Sequence, residues 1–306
     1  MNILNFARRP SGPAASDTAA LAALMQDFSI EVMPRTAAKI EDFRSILPAG
    51  TRVYLAHIDG TEFSEMLAAA RRLADEGFAV MPHFPARGIA SRAELEARIG
   101  AYSDVGVRQA LVIAGGIATP RGPFADSMQL LETGLFDRAG FNHLHVAGHP
   151  EGNRDIDPAG GEDTVMAALR WKSDFQTRTD ASMAIATQFA FEAGPIIDWA
   201  GRVRAAGITL PVHIGIAGPA KLQTMIKFAM ACGVGASLRV LQRRAADLSN
   251  LILPFEPTEI LTGLARHKAA NPDFAVERVH LFPLGGITAT TDYTAALAAR
   301  PLRARA

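Results

Sequence analysis

Glu31 sits in the segment Phe28-Ser29-Ile30-Glu31-Val32-Met33-Pro34, a carboxylate flanked by apolar side chains. Desolvation there is expected to raise its pKa toward the range of a general acid; a glutamate paired with a lysine or arginine for structure is the plainer reading. Gln188 closes Ala184-Ile185-Ala186-Thr187-Gln188-Phe189. Its amide offers a donor and an acceptor side by side, suited to the edge of a heterocycle, or equally to nearby loop backbone. His143 and His145 are two apart, so on a strand they share one face, and such a pair can ligate zinc. His145 reads better as strand interior, and His149 as a ligand contact. Gly115-Gly116 and Gly285-Gly286 let a ligand approach the backbone, although glycine pairs also serve simply as turns. Cys232 lies in an apolar helical stretch and reads as an inert buried thiol. Arg239, Arg243 and Arg244 follow helical spacing, as a solvated face or as contacts to an anionic ligand tail.

The elements that would hold these residues alternate. Strands are expected at 28–32, 53–57, 78–83, 107–113, 143–147, 183–187, 211–215 and 279–282. Helices are expected at 36–47, 62–76, 91–102, 126–135, 163–178, 195–206, 221–231, 256–267 and 288–298. Strands separated by helices pair in parallel, because a parallel neighbour needs a long crossover. Eight such units in a chain of 306 residues predict an α/β fold of the (β/α)8 TIM barrel type. An open doubly wound sheet would need several strands to be misassigned. No linker interrupts the pattern, so residues 1–306 read as one barrel domain with an N-terminal extension over about 1–26. In barrels the chemistry sits at the C-terminal ends of the strands. Glu31, His57, His83, Gly115, Gly116, His149, Glu151, Gln188, Gly215, Gly285 and Gly286 all fall there.

Composition narrows the classes. Lys+Arg and Asp+Glu both number 31, so there is no basic footprint for nucleic acid. Hydrophobic residues make up 49%, ordinary globular usage, yet no apolar run reaches the roughly 18 residues of a membrane span. One cysteine cannot form an internal disulfide, which fits a cytoplasmic location. A small-molecule partner remains, and self-association into a homo-oligomer stays open.

Taken in order, these segments resemble the methylenetetrahydrofolate reductase family, flavin-linked barrels, over about residues 28–295. Phe28-Ser29-Ile30-Glu31-Val32-Met33-Pro34-Arg35 is similar to its strand-1 motif, and Met81-Pro82-His83 to its strand-3 motif. Val146-Ala147-Gly148-His149-Pro150-Glu151-Gly152 resembles a flavin-touching segment, and Leu169-Arg170-Trp171-Lys172 the helix whose lysine meets the flavin phosphates. Thr187-Gln188-Phe189-Ala190-Phe191 is similar to the segment that holds the pterin, and His213-Ile214-Gly215-Ile216 matches the strand-7 segment loosely. The resemblance implies Glu31 as the catalytic group, with Gln188, Gly116, Phe189 and Leu284 around the folate. It implies FAD held by His57, His83, Ala114, Gly115, Ala147, His149, Glu151, Asn153 and Lys172. The implied reaction interconverts 5,10-methylenetetrahydrofolate and 5-methyltetrahydrofolate by flavin-mediated hydride transfer.

The sequence departs from that family at particular positions. The family's aspartate after strand 4 is replaced by Gly116, and the tyrosine beside the flavin by His149. The strand-2 Thr-Tyr-Gly-Ala becomes Ala56-His57-Ile58-Asp59, and the strand-8 arginine falls at Gly286. The nicotinamide-stacking phenylalanine falls near Leu222, so the resemblance does not carry NAD(P)H use with it. Loss of the aspartate removes a charge beside the flavin, and operation as a 5-methyltetrahydrofolate oxidase is one expectation. Two other readings stand beside it: a metal-dependent barrel hydrolase using His143 and His145, and a tetrahydrofolate-binding protein without redox chemistry.

Overall fold

The computed structural model describes residues 15–231, 241–242 and 254–299. Cys232, Arg239, Arg243 and Arg244 lie outside the described residues. Eight parallel strands, β1 (Ser29–Val32), β2 (Arg52–Leu55), β3 (Ala79–Pro85), β4 (Gln109–Ile113), β5 (His143–Gly148), β6 (Ser182–Ala190), β7 (Val212–Ala217) and β8 (Val276–Phe282), close into a barrel in sequence order. The seam is the pairing of β1 with β8, where Ser29 lies opposite His280. The fold expected from the alternating pattern is the one observed.

Side-chain alternation builds two layers. Ile30, Val32, Val53, Leu55, Val80, Phe84, Leu144, Val146, Ile214 and Leu281 point outward and pack with the surrounding helices into the main apolar core. The opposite parity, beginning with Ser29 and Glu31 on β1 and Tyr54 on β2, fills the barrel interior. Outside run α1 (Ala15–Met25), α2 (Pro34–Ala37), α3 (Phe63–Asp75), α4 (Arg92–Asp104), α5 (Ser127–Leu131), α6 (Leu135–Arg138), α7 (Asp163–Phe175), α8 (Ala193–Ala205), α9 (Leu222–Ala231), α10 (Thr258–Ala270) and α11 (Ile287–Ala298). The N-terminal extension contributes α1, fixed to α10 by the bidentate Asp17–Arg266 ion pair. Among the described residues no helix is long and apolar enough to cross a membrane.

Two helices differ from the sequence expectation. The segment 36–47 is not one helix: α2 stops at Ala37, and a separate 3-10 turn covers Phe43–Ser45, capped by the Asp42 side chain on Arg44 N. The Arg72 guanidinium donates to the carbonyls of Ala37, Ile40 and Glu41, supplying from α3 the partners that a continuing helix would have supplied itself. The segment 126–135 divides into α5 and α6 at Gly134, whose φ of +64° takes the chain out of helical geometry.

Candidate active site

At the C-terminal mouth, Glu31 meets two imidazoles. Its Oε2 is 3.3 Å from His83 Nε2 on β3 and 3.5 Å from His280 Nε2 on β8. The carboxylate is 19% exposed and so reachable from the mouth, whereas His280 is 1% exposed. Neither Nε2 makes a well-directed hydrogen bond, which leaves both buried nitrogens able to meet a ligand atom. Burial pushes the Glu31 pKa up, but the charge and hydrogen-bonding capacity of His83 and His280 outweigh it and hold the carboxyl at about 2. This corrects the expectation of a raised pKa. The flanking apolar residues Ile30 and Val32 face the other way, and what Glu31 faces is a pair of imidazoles. Burial draws His280 below the ordinary imidazole range, partly opposed by Glu31.

Below this cluster the barrel interior is polar. His280 Nδ1 lies 2.9 Å from Ser29 Oγ, and the His280 ring lies against Tyr54 with centroids 4.2 Å apart. The Tyr54 hydroxyl is 2.5 Å from His145 Nδ1. His145 packs edge-to-face on His213 with ring centroids 4.6 Å apart, and His213 Nε2 is 3.6 Å from Glu277 Oε2. His143 bonds Asn142 Oδ1 at the strand's start. His143 and His145 share a face as expected, but His145 is engaged by Tyr54, and among the described residues no three metal-binding side chains lie close enough to hold an ion.

Gln188 stands on the same mouth as Glu31, since both lie near the C-terminal ends of parallel strands. The register of β6 against β7 shifts between Ala186 and Phe189. Gly215 makes this bulge fit: a Cβ there would stand 2.5 Å from the Thr187 carbonyl oxygen and 2.6 Å from Gln188 backbone. Gly215 N also donates to Thr187 Oγ1 at 2.8 Å. The Gln188 Oε1 accepts from Phe189 N at 3.1 Å, so half of the amide is spent on its own loop. Phe189 is 1% exposed and packs edge-on against Phe191 and Phe282, with Leu284 beside that cluster. These two residues form wall rather than open surface.

The remaining positions spread around the mouth. His57 follows β2, and burial, with Arg98 next, lowers its pKa. Gly115, with φ of +91°, is glycine because a Cβ would press on Pro85 at 2.9 Å, while Gly116 borders open space. The Ala114 carbonyl accepts from Arg87 N. Gly285 is tight against the Pro219 carbonyl, so chain packing accounts for it. Ala147 and His149 end β5, with Asn153 Nδ2 3.4 Å from His149 Nδ1 and Glu151 in the following turn. Burial and the nearby Lys172 ammonium bring His149 down to about 4. Lys172, on α7, is 6% exposed, and burial lowers its pKa to about 8. Asp126 opposes that shift, though not as a salt bridge. A buried cation facing His149 without a paired carboxylate fits the phosphates of a dinucleotide, so these residues are compatible with a flavin's anionic end.

Sequence reasoning at strand ends missed His280, Tyr54 and Asp126. The available signal was parity: Ser29 with Glu31, and Arg278 with His280, place polar groups two apart on otherwise apolar strands. A cavity of about 600 Å³ opens at the opposite end, between α1 and the strands' N-termini, lined by Leu21, Met25, Phe28, Arg52 and Arg278 among others. That end of a barrel carries stability rather than chemistry, and none of the Glu31 cluster lines it.

The molecule is thus a closed parallel (β/α)8 barrel with a carboxylate–imidazole cluster at its C-terminal mouth. No protein-family model matches the chain. A solved structure with similar architecture, at TM-score 0.54 and 10% identity over 93% of this chain and 98% of its own, is a protein from Clostridium thermocellum, itself uncharacterized, that binds two copies of 5-methyl-5,6,7,8-tetrahydrofolic acid. The 7,8-dihydropteroate synthase of Vibrio fischeri ES114 aligns at TM-score 0.44 and 10% identity over 92% of this chain and 95% of its own.

Proposed function

We propose that the chain binds a reduced folate at the C-terminal mouth and interconverts 5-methyltetrahydrofolate and 5,10-methylenetetrahydrofolate, with FAD as redox partner. The observation that carries this reading is the Glu31 carboxylate within 3.3 Å of His83 Nε2 and 3.5 Å of His280 Nε2, on the same mouth as Gln188. The resemblance to methylenetetrahydrofolate reductases and the folate bound by the Clostridium thermocellum barrel support it.

The flavin supplies the hydride acceptor or donor when bound. Lys172 and His149 would hold its phosphates, with the β4 and β5 ends and His57 on the same mouth. Gln188 uses the amide nitrogen it keeps free to fix the pterin edge. Moving a hydride off the methyl group leaves a cationic iminium on the pterin nitrogen, and an anionic carboxylate in a site of low dielectric stabilises that charge. Closing the methylene bridge then releases a proton from the second nitrogen, which the carboxylate–imidazole cluster takes up. A carboxyl held at about 2 is a poor proton donor at neutral pH, so the proton of the second nitrogen is exchanged with an imidazole of the cluster rather than with Glu31.

The test is spectroscopic. FAD-loaded protein mixed anaerobically with 5-methyltetrahydrofolate is expected to lose its flavin absorbance, and an unchanged spectrum with bound flavin argues against the reaction. A second reading, a tetrahydrofolate-binding protein without redox activity, is favoured by Gly116, which leaves open space where the resemblance places a carboxylate. It predicts folate binding by a protein that takes up no FAD.

A further inference from the structure

The barrel interior is packed at mid-height, where Tyr54 is 0%, His280 1% and His145 2% exposed, so its base is separated from the mouth. Beneath that layer Arg52 and Gln109 share the inward parity of Tyr54 and Leu111, and Arg278 shares that of His280. Arg52 and Arg278 both line the cavity of about 600 Å³ between α1 and the strands' N-termini. Most of its remaining wall is apolar: Leu21 and Met25 on α1, Phe28 before β1 and Leu297 on α11. The Asp17–Arg266 pair fixes the first turn of α1, and Asp27, at φ of +55°, turns the chain from that helix into β1. Held at both ends, α1 spans the base without closing onto it.

The two guanidiniums are short of anions. Arg52 Nε donates to Gln109 Oε1 at 2.7 Å, a neutral acceptor, and among the described residues nothing accepts from its two terminal nitrogens. Burial lowers the Arg52 pKa and the Arg278 charge adds to that, with Tyr54 and Glu277 opposing, so the two cations stand close enough to repel each other. Arg278 has Glu277 Oε1 only at 3.8 Å from its Nε, and the same carboxylate serves His213. Asp27 is the one carboxylate among the described residues lining the cavity, and it is paired with neither arginine. We propose that this cavity is a second ligand site, which takes a small amphipathic carboxylate with its head on Arg52 and Arg278 and its apolar body along Leu21, Met25, Phe28 and Leu297. The terminal nitrogens of a guanidinium form a planar fork that matches the two oxygens of a carboxylate. An anionic head removes the repulsion between the arginines, and an apolar body suits walls that offer few polar partners. The volume lies within the range of small-molecule sites. The inference stands apart from the folate reading, since it assigns binding and no chemistry to the base of the barrel.

The experiment needs neither folate nor flavin, and its probe is octanoate below its micelle-forming concentration. Calorimetric titration of the full chain is expected to show saturable binding of one octanoate per chain. The thermal midpoint should rise with it, because a ligand held only by the folded state stabilises that state. 1-Octanol, with the same apolar body and no charge, should bind at least about tenfold more weakly. Arg52→Met should weaken octanoate binding by at least about tenfold, and Arg278→Met serves if that variant does not fold. Ala22→Trp, on α1 and lining the cavity, adds a ring in the space the ligand would use and should abolish binding. Absence of saturable octanoate binding overturns the assignment. So does equal binding of 1-octanol, or octanoate binding that the arginine variants or Ala22→Trp leave unmoved.

Discussion

Lys172 offers the sharpest test of whether the mouth is built for an anionic cofactor. Its pKa is lowered from an ordinary 10.5 to about 8 by burial, a difference of 10.5 − 8 = 2.5 pH units. At about 1.4 kcal/mol per unit, keeping this ammonium charged inside the folded protein costs about 3 kcal/mol at neutral pH. In the unfolded chain the amine stays protonated up to its ordinary value, while the folded form loses its proton from about 8. The penalty is therefore fully present below pH 8 and fades between 8 and 10.5. A phosphate beside the ammonium reverses the balance and returns its pKa toward the ordinary range. FAD affinity should then be highest at pH 7 and fall about tenfold by pH 9, one unit above the free-protein value. Lys172→Met removes both effects: it should weaken FAD binding by about 10- to 100-fold, a charge-assisted hydrogen bond lost, while stabilising flavin-free protein by up to about 3 kcal/mol. FAD titrations followed by flavin fluorescence at pH 7 and 9, with urea unfolding of the flavin-free proteins, measure both. A parent protein whose FAD affinity is indifferent to pH over that span, or a variant that keeps its flavin and gains no stability, refutes the assignment.

Three further outcomes follow from the same coordinates. Glu31→Gln should lower turnover of 5-methyltetrahydrofolate by at least about 100-fold while urea unfolding stays cooperative; unchanged turnover removes Glu31 from the mechanism. His213, 3% exposed and held at about 4 by burial, should destabilise the fold as the pH drops from 6.5 to 4, because the unfolded chain takes up a proton there that the folded one refuses. By pH 5 the cost is about 2 kcal/mol, and His213→Phe should flatten that portion of the stability–pH curve measured by urea unfolding. Gly215→Ala should cost about 1–3 kcal/mol and abolish folate binding measured by calorimetry, since the added methyl displaces the β6 bulge that carries Gln188.

The sequence by itself determined the barrel. Strand parity and helical periodicity are local, repeated eight times, and dictate parallel pairing and closure without reference to any particular contact. Ser91 before α4 and Gly134 between α5 and α6 act within a turn of their own positions, which is why such boundaries are written in the chain. The failure over 36–47 marks the limit of that locality: the helix is interrupted where Arg72, more than thirty residues away, supplies the hydrogen bonds. Glu31 and Gln188 could be placed on one mouth from strand order alone. The charge state of Glu31 could not, because it depends on His83 and His280, 52 and 249 positions away (83 − 31 and 280 − 31): His83 comes beside it through the β1–β2–β3 pairing and His280 only when β1 joins β8. Ionisation is set by whatever lies within a few ångströms, and closure of the barrel, rather than the neighbours in sequence, decides what that is.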